Sequence, residues 1–287
     1  VIDLLQLLIF GIVVGSIIAL GAIGVSLAFG ILRFANFSAG DLMTLGAYFA
    51  FVFYVSLKLP MPVSFVLAAV ATALAAVLID RTVYRFMRRS PPVILLISSF
   101  GMALILRSLV QIIWGPNNQV YEPGIRMPYI VGGLRIQPDQ VYIIIGTVVL
   151  VVALHLFMQG TKTGKAMRAM SDNVDLARIT GIDTERVVLW TWLIAGAMAA
   201  AAGIFLGIDT RLHPIMGFRM LLPIFAAAIL GGIGKPYGAV VGGLVIGIAQ
   251  EFSVLVLAPP YKEAVAFALL VLMLIFRPQG LFAGRVF

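Results

Sequence analysis

The residues able to do chemistry are few. His155 and His213 are the only histidines in 287 residues, and cysteine is absent. Disulfides, thiolate metal sites and cysteine nucleophiles are thereby excluded. No His-Glu-x-x-His or Gly-x-Ser-x-Gly pattern surrounds either histidine, so zinc hydrolysis and a serine triad lack their parts. Gly160, Gly164 and Lys165 approach the spacing of a phosphate-binding loop. However, Gln159 stands where that loop needs its first glycine, and Ala166 where it needs the hydroxyl that ligates magnesium. The chain is therefore expected to hydrolyse no nucleotide by itself and to be no enzyme.

Polar groups in or beside apolar runs remain: Asn36, Ser38, Asp41, Arg107 and Glu251. An arginine at mid-span costs about 2.5–3.5 kcal/mol on insertion scales unless it pairs or snorkels. Glu251 is the expected partner of Arg107. Asn36 and Asp41 open the second apolar run, where an acidic or amide group favours a helix N-terminus; lining a translocation path is the alternative reading. Arg107, Glu251 and Asp41 would form the relay if the chain were an ion-coupled transporter.

The elements that must hold these groups follow from composition. Hydrophobic residues make up 62% of the chain and charged residues 11%, against about 45–50% and about 25% in soluble domains. Lipid must be the solvent. Uncharged stretches run over 4–32, 42–57, 59–79, 90–106, 140–161, 187–208, 220–234, 236–250 and, less cleanly, 264–276. The first is too long for a secretory signal core and is expected to be a retained span. Strict apolar/polar alternation, the barrel pattern, is missing. Backbone groups in lipid must pair within their own segment, so the expected fold class is an all-α polytopic bundle of eight or nine transmembrane helices in one domain, 1–287.

Sidedness follows from lysine and arginine. The net charge of +8 is read as basic loops facing the cytoplasm, with no nucleic-acid partner. With the N-terminus outside and nine crossings, Arg33, Arg81, Arg85, Arg88, Arg89, Lys162, Lys165, Arg168, Arg178, Arg186, Lys235, Arg277 and Arg285 fall inside. Lys58, Arg126, Arg135, Arg211, Arg219 and Lys262 fall outside. The outer segment 114–139 is rich in glycine and proline, including Pro123, Gly124, Gly132 and Gly133; it is expected to lack regular structure and to form a small cap. The short runs 220–234 and 236–250, joined by Gly231-Gly232-Ile233-Gly234-Lys235-Pro236, could be full crossings or re-entrant segments. Small residues four apart, among them Gly11/Gly15, Gly203/Gly207 and Gly243/Gly247, are expected to serve helix packing.

The inner loop 160–186 carries a predicted short helix, Ser171 to Ile179, with Gly181 as its left-handed terminator. Ala166, Met167, Met170, Val174, Leu176, Ala177 and Ile179 give it an apolar face in a basic setting. Such a helix docks into a partner's groove or lies on anionic lipid; periodicity does not choose between them.

Three motifs in chain order carry a resemblance. Gly164-Lys-Ala-Met-Arg-Ala, followed by Asp172-Asn173, Ala177 and Gly181-Ile-Asp-Thr-Glu-Arg-Val, resembles the cytoplasmic coupling loop of ABC importer permeases, specifically those of branched-chain amino acid transporters. Residues 30–42, Gly-Ile-Leu-Arg-Phe-Ala-Asn-Phe-Ser-Ala-Gly-Asp-Leu, resemble that family's motif after the first span, and 230–239 resemble a later one. Ser38-Ala39 departs from the Ala-His many members carry, so no histidine role transfers. The resemblance implies a half-channel in a bacterial inner membrane. Its partners would be a homologous second permease, two cytoplasmic ATPase subunits that bind ATP and magnesium, and an extracytoplasmic solute-binding protein; no cofactor is implied on this chain. Gly164, Lys165, Arg168, Ala169, Asp172, Asp175 and Gly181 match the coupling positions. Asn36, Ser38, Asp41, Arg107 and Glu251 are the candidate path residues. Similar permeases import urea and short amides, which leaves the cargo open.

Overall fold

Proline starts four of the long helices, and glycine stops two, Pro92–Trp114 at Gly115 and Met216–Gly231 at Gly232. A missing N–H costs nothing at a helix start, and Pro62, Pro92, Pro138 and Pro236 each sit in a first turn. The computed structural model describes residues 2–88, 90–122, 128–277 and 279–282; Arg89, Pro123, Gly124, Arg126 and Arg285 lie outside them.

Helix α1 (Ile2–Leu32) leads through a short irregular segment into α2 (Ser38–Phe51), which ends in a π turn, Val52–Ser56. Helix α3 (Met61–Ile79) continues through a π turn, Asp80–Tyr84, into α4 (Arg85–Met87). Then come α5 (Pro92–Trp114), strands β1 (Tyr129–Val131) and β2 (Leu134–Ile136), and α6 (Pro138–Gly160). Two short helices, α7 (Lys162–Asp172) and α8 (Val174–Ile179), precede α9 (Thr184–Asp209). Helices α10 (Met216–Gly231), α11 (Pro236–Ser253) and α12 (Lys262–Phe276), the last preceded by a 3-10 turn, Pro259–Tyr261, complete the helices among the described residues.

Among the described residues, seven helical segments are long and apolar enough to cross a bilayer: Ile2–Leu32, Ser38–Ser56, Met61–Met87, Pro92–Trp114, Pro138–Gly160, Thr184–Asp209 and Pro259–Phe276. Helices α10 and α11, the short pair of the sequence, form a hairpin running between the same two ends. Gly234 meets Gly30 at one end of α1, and Ile248 meets Gly11 toward the other. The chain's last described residues return to this hairpin: Leu281 and Phe282 donate N–H groups to the Leu230 and Gly231 carbonyls.

The contacts sort the loops into two ends. Arg33 reaches the Ser171 carbonyl (2.8 Å), Lys235 faces Asp172 (4.0 Å) and Arg88 binds Glu185 (2.8 Å). These cations belong to the set expected inside, and they gather at the α7–α8 end. At the opposite end Gln6 exchanges two hydrogen bonds with the Arg135 backbone, Tyr54 binds Glu122, and Gln119 pairs with Leu212.

Two expectations need correction. The segment 114–139 is not wholly irregular: β1 and β2 pair antiparallel around Gly132-Gly133, both at positive φ (59° and 88°). Two positive φ values make the tight hairpin turn that suits strand twist, and only glycine adopts them without strain. The predicted helix 171–179 is broken at Asn173, whose extended backbone ends α7 while its side chain accepts the Leu176 N–H (3.0 Å) to start α8. An asparagine able to cap competes with helix continuation.

Helix pairs meet at glycines. A Cβ on Gly11 would lie 2.8 Å from the Ile248 Cα, and one on Gly15 2.9 Å from the Leu244 Cα; Gly203 abuts the Met43 carbonyl. Gly15→Val is expected to lower the unfolding midpoint in detergent by about 3–8 °C through overpacking. Gly101→Val, where a Cβ meets nothing within 4 Å, should leave that midpoint nearly unchanged in the same melt.

Candidate functional site

The polar residues near the second helix form one intramembrane cluster. The chain leaves α1 at Arg33, in a left-handed conformation (φ 59°), and five residues later α2 begins inside the bundle. Asn36 Oδ1 accepts the Ser38 N–H (3.1 Å) and the Ser38 hydroxyl (2.7 Å), and Tyr84 Oη lies 3.0 Å from Ser38 Oγ. Tyr84 stacks on Trp192 of α9, ring centres 5.3 Å apart. Asn36, Ser38 and Asp41 are all buried. Asn36 thus makes a local turn ahead of α2, whose N-cap position is Phe37 and carries no side-chain cap.

Asp41 does something else. Its two carboxylate oxygens accept from Arg107 Nε (3.0 Å) and a terminal nitrogen (3.1 Å), a forked pair between α2 and α5. The Arg107 guanidinium also lies 4.2 Å from the centre of the Phe218 ring on α10, a cation–π contact. The expected Arg107–Glu251 pair is therefore not formed. Glu251 binds Lys262 (2.7 Å), whose carbonyl receives the Gln250 side chain (3.2 Å), and so joins α11 to α12. Span lengths give depth but not which neighbour sits at that depth, and the acid in the first turn of α2 is the one that faces α5. The structure brings together Asn36, Ser38, Asp41 and Arg107, and leaves Glu251 elsewhere.

The second cluster is the α7–α8 segment. Thr161 caps α7 by accepting the Gly164 N–H (2.9 Å). Gly164 is buried where α6 turns into α7, and a Cβ there would lie 2.6 Å from the Met158 Cα; its role is to permit that turn. Arg168 holds Gln159 (3.0 Å), and Lys165, Asp172 and Asp175 are exposed. Met167, Met170 and Ala177 are buried against the bundle, so they do not belong to an exposed apolar face. That face is carried by Leu176 and Ile179 of α8, 55% and 80% exposed. Gly181 takes φ 86°, its N–H bonding the Arg178 carbonyl and the Ile182 N–H the Ala177 carbonyl. Both bonds are those of the glycine-terminated helix end anticipated from sequence.

Two contributors had no sequence signal. Arg88 bridges Asp80 and Glu185, tying the end of α3 to the start of α9. Tyr121, outside the spans, donates to the Ala47 carbonyl (2.9 Å), and burial pushes its hydroxyl well above the ordinary tyrosine range.

A multi-pass helical bundle with an intramembrane ion pair and a capped, partly exposed helical loop at one end is the frame of a membrane permease. The family model described as "Branched-chain amino acid transport system / permease component" matches residues 7–274, and the chain belongs to that family. The "High-affinity branched-chain amino acid transport system permease protein LivH" of Escherichia coli is 35% identical, covering 96% of this chain and 94% of that one. BraD of Pseudomonas aeruginosa, described in the same words, is 33% identical over 96% of this chain and 95% of its own. Among solved structures, "PsaBC from Streptococcus pneumoniae in complex with Fab" matches with a TM-score of 0.51 at 13% identity, covering 96% of this chain and 91% of that one; it shares the fold.

Removing one partner of a buried pair strands the other charge, whereas removing both does not. Arg107→Met is expected to cost about 3–5 kcal/mol of stability, and Asp41→Asn/Arg107→Met to recover most of it. Unfolding of the two purified variants beside wild type measures the difference.

Proposed function

We propose that this chain forms half of the translocation path of an ATP-driven importer for branched-chain or similarly apolar amino acids. It pairs with a homologous second permease, receives cargo from an extracytoplasmic binding protein and is moved by two cytoplasmic ATPase subunits. Family membership over nearly the full length, with relatives named for this cargo, carries the reading.

The α7–α8 segment is the coupling element. It presents Leu176 and Ile179 to solvent beside Asp172, Asp175 and Arg178. Two apolar side chains entering a groove contribute about 1.5–3 kcal/mol each, and the surrounding charges fix register. Lys165, Arg168 and Ala169 lie on α7, with the turn at Gly164 and the stop at Gly181 setting the direction of the hook. Loop cations at this end, Arg33, Arg88 and Lys235 among them, support its assignment to the cytoplasm of a bacterial inner membrane. The ion-coupled alternative loses its relay, because Arg107 and Asp41 satisfy each other and Glu251 is bound to Lys262.

Leu176→Glu/Ile179→Glu changes only exposed positions. The variant is expected to insert and fold while retaining less than about a tenth of ATP-dependent leucine uptake, with the ATPase no longer co-purifying. Undiminished uptake and co-purification would reject the coupling role.

A further inference from the structure

Helices α5 and α10 flank the start of α2, and their side chains fall on two levels. On one, Phe37, the residue just before α2, lies between Phe100 of α5 and Phe225 of α10, ring centres 6.4 and 5.3 Å away. On the other, Arg107 of α5 is bound to Asp41 of α2 and covered by Phe218 of α10. Phe100 and Arg107 are seven residues apart, as are Phe225 and Phe218 on α10, so both flanking helices step about 10.5 Å between levels. Asp41 stands one helical turn from Phe37. Three helices thus present an aromatic level toward the α7–α8 end and a charged level above it.

This face is open. Phe100 is 45% exposed and Phe218 39%, and the Arg107 side chain keeps 16% exposure while Asp41 keeps 1%. A guanidinium two turns below the end of α5 does not belong against lipid tails; intramembrane charges face water-filled cavities or protein. Pro223, between the two levels of α10, has no N–H for the Arg219 carbonyl, which loosens the helix at that point.

We infer that these two levels are the permease's own cargo contacts, and that they select an apolar amino-acid zwitterion. This rests on the amino-acid reading above and assigns it residues. Arg107 takes the α-carboxylate through its fork, Asp41 takes the α-ammonium, and Phe37, Phe100 and Phe225 pack the side chain. The physical reason is charge balance. A zwitterion entering between Asp41 and Arg107 exchanges one ion pair for two, leaving no buried charge uncompensated. A sugar, an amide or a single ion parts the pair without replacing it. In the empty path the pair holds α2 to α5, so the residues that close the path are those that read the cargo.

The test uses the complete complex of permeases, ATPase and binding protein in proteoliposomes. Asp41→Asn/Arg107→Met keeps side-chain volume and removes both charges. The expected result is an assembled complex whose leucine uptake falls at least tenfold; uptake within twofold of wild type would mean that the pair only braces the fold and would overturn the proposal. A second variant decides the matter even if that one fails to assemble. The chain has no cysteine, so Phe100→Cys places a single thiol on the aromatic level. A membrane-impermeant cationic thiosulfonate should modify this chain and cut leucine uptake about tenfold, and cargo-loaded binding protein with ATP should slow modification several-fold. A thiol inert to the reagent, or labelling without effect on uptake, overturns the assignment. Failure of the wild-type complex to move leucine would instead reject the cargo reading itself, and this inference with it.

Discussion

Backbone-to-backbone contact is the constraint on which the bundle depends. Lipid tails are as apolar as leucine, so no hydrophobic force drives helices together inside a membrane; close approach, dispersion and hydrogen bonds must do it. The glycines supply that approach. Gly11 and Gly15 of α1 lie against α11, Gly203 of α9 against Met43 of α2, and Gly217 of α10 against Gly40 of α2. The last two contacts grip α2 near its start, which allows a helix to begin in the interior. Without them Asn36, Ser38 and Asp41 would have no fixed position, and Arg107 no partner.

Much of this frame is legible in the sequence because charges punctuate spans and prolines open them. The run from Leu4 to Leu32 becomes α1, and the short Gly/Pro-joined runs become the α10–α11 hairpin. What the sequence hides is adjacency. Arg107 lies at a depth for which the sequence pointed to Glu251, and only the packing of α2 against α5 decides for Asp41. The same holds for Met167 and Met170: helical periodicity places them on one face of α7 without saying whether that face meets the bundle or a partner. The β1–β2 hairpin was missed because glycine-rich segments read as irregular, although two adjacent glycines are what its turn demands.

The α7–α8 segment is built from parts of different firmness. Helix α7 is tied down through Arg33 to Ser171, Arg168 to Gln159 and buried Met167 and Met170. Helix α8 is joined to it by one extended residue, Asn173, and presents Leu176 and Ile179 outward. Arg88 holds the start of α9 to the end of α3, so these two long helices are fastened together at the same end; on the coupling role proposed above, a firm base with an exposed tip would pass a push on to both.

Beside the covalent join of α6 to α7 at Thr161, a second link from this end to the interior is the segment from Arg33 to Phe37. Arg33 hydrogen-bonds the last turn of α7 through the Ser171 carbonyl, and four residues later Phe37 sits between Phe100 and Phe225. Its own N–H is held by Ser99 of α5 (3.1 Å). The segment is irregular and has no slack of its own, since a left-handed Arg33 fixes one end and the Asn36–Ser38–Tyr84 hydrogen bonds fix the other. On the proposed coupling role, a displacement of α7 would therefore be felt at the start of α2. Because the interior is close-packed, it is met by a change from one packing to another and not by gradual deformation. This segment joins Phe37 to the helix that carries Asp41, and on the proposed coupling role it would link a push at the membrane surface to the charge pair buried in the spans.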